Sequence, residues 1–312
     1  MVLPYMVSLA VAAALLALTI PWLSFVFTVA IGKGLAALGV ALLLRAGLIS
    51  IGHALYYAIG AYAAAFLMRR GVVGELLSLL ALSTLVSAAA GVLVGSFVVR
   101  YRAIFFAMLN LAISMVFFTL LSKLYDLTGG SDGLRIATPN VLGLILDRAS
   151  FDLVLLFAAL MLALALMFVV ERYLASPLGE ALAAIHANEV RLEYLGVSAR
   201  GVLLVGYTVS AALAGLGGAI SALAIGHVVP ELSYWTHSGQ LVLIAVLGGS
   251  GGVAGPFIGA FFLELVRTAA VGYAAELWNM AVGVALLLVI FFLPEGIYGL
   301  LHRVARRRRL SA

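Results

Sequence analysis

Residues 176–201 read SPLGEALAAIHANEVRLEYLGVSARG, inside a chain that is otherwise mostly apolar. Ser176 followed by Pro177 is a good helix start: the hydroxyl can cap free N–H groups, and proline suits the first turn. Leu178, Leu182, Ile185, Leu192 and Leu195 recur at spacings of 4, 3, 7 and 3, which is one face of a helix. Glu180, His186, Asn188, Glu189 and Arg191 remain for the other faces, and Gly196 is a stop signal. The loop 171–200 concentrates charge in Glu171, Arg172, Glu180, Glu189, Arg191, Glu193 and Arg200. The pattern predicts a short amphipathic helix between membrane spans.

The surroundings set that loop in a membrane protein. The 312 residues are 65% hydrophobic and only 10% charged, with a mean hydropathy of +1.22; a soluble domain carries about 25% charged residues. The apolar runs are long and do not alternate, so they predict helices rather than barrel strands. Ten spans are expected: 3–20, 24–44, 51–68, 76–99, 104–123, 152–170, 201–224, 238–254, 256–273 and 277–294. The predicted fold is therefore an all-α polytopic transmembrane bundle forming one domain over 1–312. The run 3–20 is taken as a span because no Lys or Arg precedes it, unlike a signal peptide. The absence of cysteine excludes disulfides, cysteine metal sites and thiol chemistry.

Lys and Arg set the orientation. With the N-terminus inside, Arg45, Arg100, Arg102, Arg172, Arg191, Arg200, Arg303 and Arg306 to Arg309 fall in inner loops, against Arg69, Arg70, Lys123, Arg135 and Arg148 outside. That bias places both termini in the cytoplasm, with a basic tail at 295–312 held near anionic lipid. The excess of positive charge is explained the same way, so no nucleic acid partner is expected. The external segments are 124–150, rich in turn residues, and 225–237.

The helix near residue 180 thus lies on the cytoplasmic side. An interfacial helix lying on anionic lipid prefers Lys and Arg along its polar face. Residues 177–190 carry none and carry two glutamates, so docking on a protein partner is favoured.

At this point the chain resembles a known family. The loop resembles the coupling loop of ABC importer permeases, in which Glu-Ala-Ala-like residues and a downstream glycine form a helix seated in a cleft of the ATPase. Glu180, Ala181, Ala184 and Gly196 match that pattern, and Ile185, Asn188, Glu189 and Leu195 fall in the same helix. GLISIGHALYYAIGAYAAAFL (47–67), RAIFFA (102–107), LTGGSDGL (127–134), LVLIAVLGGSGGVAGPFIGAFF (241–262) and FLPEGIYGL (292–300) occur in the order seen in branched-chain amino acid (LivM-like) permeases. The resemblance implies a non-enzymatic transport subunit in the prokaryotic inner membrane. It also implies a related second permease subunit, two cytoplasmic ATP-binding subunits holding ATP and Mg, and an extracytoplasmic binding protein delivering leucine, isoleucine or valine. No cofactor is expected on this chain. The chain departs from the family pattern at Ala41, Leu48, Met115 and Gln240, where polar or acidic residues are frequent; this implies a more apolar path.

Ser50, His53, Asn110, Ser114, Ser238 and Gln240 are polar positions within or at the ends of apolar spans. Such groups turn towards the bundle interior, so each either ties helices together or borders the path. Gly248, Gly249, Gly251, Gly252, Gly255 and Gly259 crowd around Pro256. Gly251, Gly255 and Gly259 have the small-residue spacing of touching helices. A bent hinge at Pro256 is the other reading. Lys33 lies within a span without a local partner, whereas Glu264 and Arg267 can pair three residues apart. His227 and His237 supply too few ligands for a metal, and no nucleophile–base set or paired carboxylates appear. Two alternatives to an amino acid importer stay open: an ABC permease for urea, short amides or another small polar solute, and a stand-alone secondary transporter or channel centred on Lys33 and Glu264.

Overall fold

A computed structural model describes residues 21–249, 251–273, 280, 283, 284, 287, 291 and 296–299. Nearly all of these residues are helical. The helices are α1 (Pro21–Arg45), α2 (His53–Arg69), α3 (Leu76–Val98), α4 (Ala103–Lys123), α5 (Arg148–Leu174), α6 (Pro177–Tyr194), α7 (Ala199–Ile225), α8 (Trp235–Gly248) and α9 (Gly255–Tyr273). Among the described residues, six of them are long and apolar enough to cross a membrane: α1, α3, α4, α5, α7 and α9. Helix α2 has 17 residues and α8 has 14, so each matches a thinner slab. The expected first span 3–20 lies outside the described residues, as does most of the tenth span and of the basic tail.

The helices run alternately between two faces. One face gathers Arg45, the α3–α4 corner, α6 and residues 251–254; Arg45, Glu171, Gly251 and Gly252 line one cavity there. The other face gathers residues 70–75, 124–147 and 226–229, whereas the turn 230–233 lies deeper, its Ser233 carbonyl reaching Ser114 at the middle of α4. Two loops of that second face join in a two-stranded antiparallel ribbon, β1 (Leu134–Arg135) with β2 (His227–Val228), pairing Leu134 with Val228 and Arg135 with His227.

Helix α7 is the axis of the bundle. Every residue from Leu213 to Ala224 is buried, and α1, α2 and α3 pack directly on it. Small residues make this possible. A Cβ added at Gly60 of α2 would lie 1.9 Å from the Gly215 carbonyl oxygen, and one at Gly217 would lie 2.1 Å from that of Gly32 in α1. The backbones therefore touch, which is how membrane helices associate without a hydrophobic drive. The aromatic rings of Tyr56, Tyr207, Phe106 and Phe151 fill the gaps between these contacts and are fully buried.

The span expected at 238–254 stops six residues early. Helix α8 ends at Gly248, Gly249 has φ +91, and residues 251–254 turn into the next helix at Gly255. A φ in that region favours glycine. Pro256 then stands in the first turn of α9, where its missing N–H costs nothing, so it starts a helix rather than bending one.

Candidate functional site

Helix α6 forms where the sequence predicts it. The Ser176 hydroxyl accepts from the Gly179 N–H at 3.4 Å, and the helix closes at Gly196 with φ +82. Two features differ from the simple amphipathic pattern. The helix breaks at Asn188, whose backbone is extended (φ −165, ψ 97) and whose Oδ1 accepts from the Arg191 N–H at 2.9 Å, starting a second limb. The buried face is Gly179, Ala181, Leu182, Ile185 and Leu192, packed on α5 and α7. Leu178 (45% exposed) and Leu195 (74% exposed) point outward instead. The break resets the helical phase ahead of Leu192, and Leu195 is the C-cap residue beyond the last turn; Leu178 shares the first limb with Leu182 and Ile185, at its exposed start.

The outward surface carries Glu180, Asn188, Val190, Glu193, Tyr194 (87% exposed), Leu195 and Gly196, while Ala184 is half-buried. Glu189 is engaged within the chain. Both of its oxygens accept from Arg102 at the start of α4, at 2.7 Å from Nε and 2.6 Å from Nη2. His186 packs on Gly47 of the α1–α2 link, where a Cβ would lie 2.2 Å from Nδ1.

The polar positions inside the bundle meet one another. His53 is fully buried, with its two ring nitrogens on Ser50 Oγ (2.7 Å) and Ser210 Oγ. The Ser238 hydroxyl of α8 accepts from the Ala54 N–H at 2.9 Å, satisfying an open donor in the first turn of α2. The Tyr56 hydroxyl donates to that of Tyr207 at 2.9 Å, and the Tyr207 hydroxyl donates to Asn110 Oδ1. The Ser114 hydroxyl donates to the Ser233 carbonyl at 2.7 Å. These bonds tie α2, α4, α7 and α8 together, as one of the two sequence readings proposes. Gln240 is half-buried on α8.

The glycines around Pro256 divide into two groups. A Cβ at Gly248 would lie 2.0 Å from the Gly255 carbonyl oxygen, and one at Gly259 would lie 2.4 Å from that of Ile244. Gly248, Gly255 and Gly259 therefore form the α8–α9 contact. Gly249 makes the turn. Gly251 and Gly252 do not join that packing; they line a cavity of about 290 Å³ with Arg45, Glu171 and Tyr298. The four-residue spacing continues past the helix end into the turn, so Gly251 cannot share a face with Gly255.

Lys33 finds its partner far away in sequence. Its Nζ lies 2.7 Å from Glu264 Oε2, both side chains 7% exposed, and Arg267 Nη1 lies 3.4 Å from Glu264 Oε1. On the opposite face, Arg69, Tyr125, Asp126, Gly129, Gly133, Leu134 and Arg135 line an open hollow of about 500 Å³. Its rim holds itself in shape: Tyr125 donates to Asp132 Oδ2 at 3.0 Å, and that carboxylate pushes the phenol pKa up.

The family described as branched-chain amino acid transport system / permease component matches residues 22–292. The chain belongs to this family. Among relatives of this permease, the high-affinity branched-chain amino acid transport system permease protein LivM of Salmonella typhimurium is 31% identical over 272 residues. LivM of Escherichia coli K12 is 30% identical over 272 residues. Each alignment covers 80% of this chain and 64% of the relative, so the permease spans somewhat under two thirds of their length. No solved structure matches it. The permease is a multi-pass membrane protein by family and by its apolar helices.

Sequence reasoning missed four members of the polar core: Tyr56, Tyr207, Ser210 and the Arg102 anchor. The tyrosines lie in apolar runs and count as hydrophobic in any periodicity. Ser210 is one of several hydroxyls in α7 with nothing to single it out. Arg102 was visible as an inner-loop arginine and as the first residue of RAIFFA, with nothing to link it to Glu189. Of the departures from the family pattern, Ala41 and Leu48 are buried in the apolar core.

Proposed function

We propose that this chain is the membrane-spanning permease subunit of an ATP-driven importer of leucine, isoleucine and valine. The observation that carries the reading is α6. It is a capped, lipid-averse helix with outward Glu180, Glu193, Tyr194 and Leu195, at the bundle end where the Lys and Arg bias puts the cytoplasm. It offers a cytoplasmic ATPase an acidic and apolar ridge on a rigid base. ATP and Mg are held in those partner subunits; this chain performs no covalent chemistry. A second, related permease completes the path in the inner membrane. A binding protein delivers cargo to the opposite face, where the hollow beside Arg69 and Arg135 lies. Motion of α6 as the ATPases close tilts whole helices and opens the path alternately to the two sides.

The test is reconstitution with the ATPases, partner permease and binding protein. ATP-dependent leucine uptake, and loss of ATPase co-purification on Glu180→Arg with Tyr194→Ala, are expected. Normal assembly and uptake in that variant would remove α6 from the docking role. Uptake of urea or a short amide instead of leucine would change the cargo and keep the class.

A second reading rests on the buried Lys33–Glu264 pair. Ionisable groups inside a bundle serve coupling ions in secondary transporters. Flux driven by an ion gradient through this chain alone in liposomes would favour it.

A further inference from the structure

Arg102 is the N-cap residue of α4, and its guanidinium makes four hydrogen bonds with its five N–H donors. Nε and Nη2 form the two-pronged bond to Glu189, the first residue of the second limb of α6. Nη1 donates to the carbonyls of Tyr101 (3.0 Å) and of Val99, the C-cap residue of α3. One planar group thus joins the end of α3, the start of α4 and the limb of α6 beyond the Asn188 break. A fork of this kind fixes direction as well as distance, which a lysine cannot do. Glu189 also sits at the N-terminus of its limb, where a carboxylate is favoured.

Helix α4 is built to respond to such a joint. Only 22% of its most apolar window is buried, against 78% for α7. Its other polar ties are few: Asn110 to Tyr207 of α7 and, one turn further on, Ser114 to the Ser233 carbonyl. Phe118 stacks edge-on against Tyr234 beside that turn, with ring centroids 5.0 Å apart. An outer rod is therefore held at one end by α6 and near its middle by the axis helix and, one helical turn further on, by the turn that leads into α8.

We propose that the Arg102–Glu189 bond is the joint through which displacement of α6 moves α4, and with it the Ser233 turn inside the bundle. This rests on the reading of α6 as the ATPase-docking helix. Arg102 is a positioning residue in this scheme: it touches no cargo and acts through α4. The joint gives α6 a route into the bundle beside its direct packing on α7.

The experiment uses the complete complex in proteoliposomes, with Arg102→Glu, Glu189→Arg and the double exchange Arg102→Glu/Glu189→Arg. Each single variant should still assemble and hydrolyse ATP, with leucine taken up per ATP reduced about tenfold, the size of a typical coupling between sites. The double exchange should restore most of it. A direct readout comes from spin labels at Met108→Cys on α4 and Val205→Cys on α7, both exposed positions in a chain without cysteine. ATP should change their separation in the parent and in the double exchange but not in Arg102→Glu. Wild-type uptake per ATP in the single variants, failure of the exchange to restore it in an assembled complex, or an unchanged ATP response in Arg102→Glu would each overturn the joint. If the parent complex neither assembles nor imports, the docking reading itself fails and the joint falls with it.

Discussion

Helices α4 and α7 are alike in composition class and opposite in place. Both are long, apolar and uncharged through their middles, yet α7 is the buried axis and α4 lies on the outside. The difference is side-chain size. Helix α7 carries AGLGGAISA at 214–222, whereas α4 carries Phe105, Phe106, Met108, Met115, Phe117 and Phe118. Apolarity puts a helix in the membrane; smallness lets its backbone be approached by others and so decides which helix becomes the centre. Helix α1 belongs with α7: 89% of its apolar window is buried, and it accepts a lysine at its core because Glu264 meets it.

The comparison can be broken most severely at that lysine. Lys33→Met leaves Glu264 buried with less counter-charge, at a cost of about 3–5 kcal/mol; adding Glu264→Leu should return a large part of it. Thermal unfolding of the purified permease in lipid nanodiscs measures both, and a double variant no better than the single would sink the pairing. Gly60→Ala comes next. The new methyl meets the Gly215 carbonyl, and overpacking of this kind costs about 1–3 kcal/mol. The same substitution at Gly272 of α9, where nothing lies within 4 Å, serves as the control and should be neutral or better. Ser210→Ala removes the partner of a buried His53 nitrogen and should cost about 1–3 kcal/mol, seen as a lower melting temperature. At the small end, Ile104→Ala and Phe105→Ala on the outer face of α4 should stay within about 0.5 kcal/mol in the same assay. A large loss there would mean that α4 is covered by another chain in the nanodisc.

How much of this was legible in the sequence follows from the range of each signal. The six helices long and apolar enough to cross a membrane were legible because hydropathy is summed along the chain. The limits of α3 and α4 fall within a residue or two of expectation, and the Ser176 cap and Gly196 stop act over one turn. What failed needed information from elsewhere in the fold. The Asn188 break looks like any polar residue on a helix, and it is stabilised by a local cap together with a clamp from Arg102, 87 residues earlier. The Lys33–Glu264 pair spans 231 residues with no periodicity to link them. The end of α8 at Gly248 was hidden because a run of glycines marks contact and turn equally well; only the close approach of Gly255 separates the two. For the candidate path, polarity inside apolar runs is what singled out Ser50, His53, Asn110, Ser114 and Ser238, whereas their tyrosine and serine partners are ordinary residues made special by neighbours.

The β1–β2 ribbon has a mechanical consequence. Two rungs of backbone hydrogen bonding clasp the long 124–150 loop to the exit of α7, so neither can be lifted without the other. A visitor landing on the Gly129–Gly133 corner therefore tugs, through His227 and Val228, on the central mast of the bundle itself. Touch at the rim is felt at the keel.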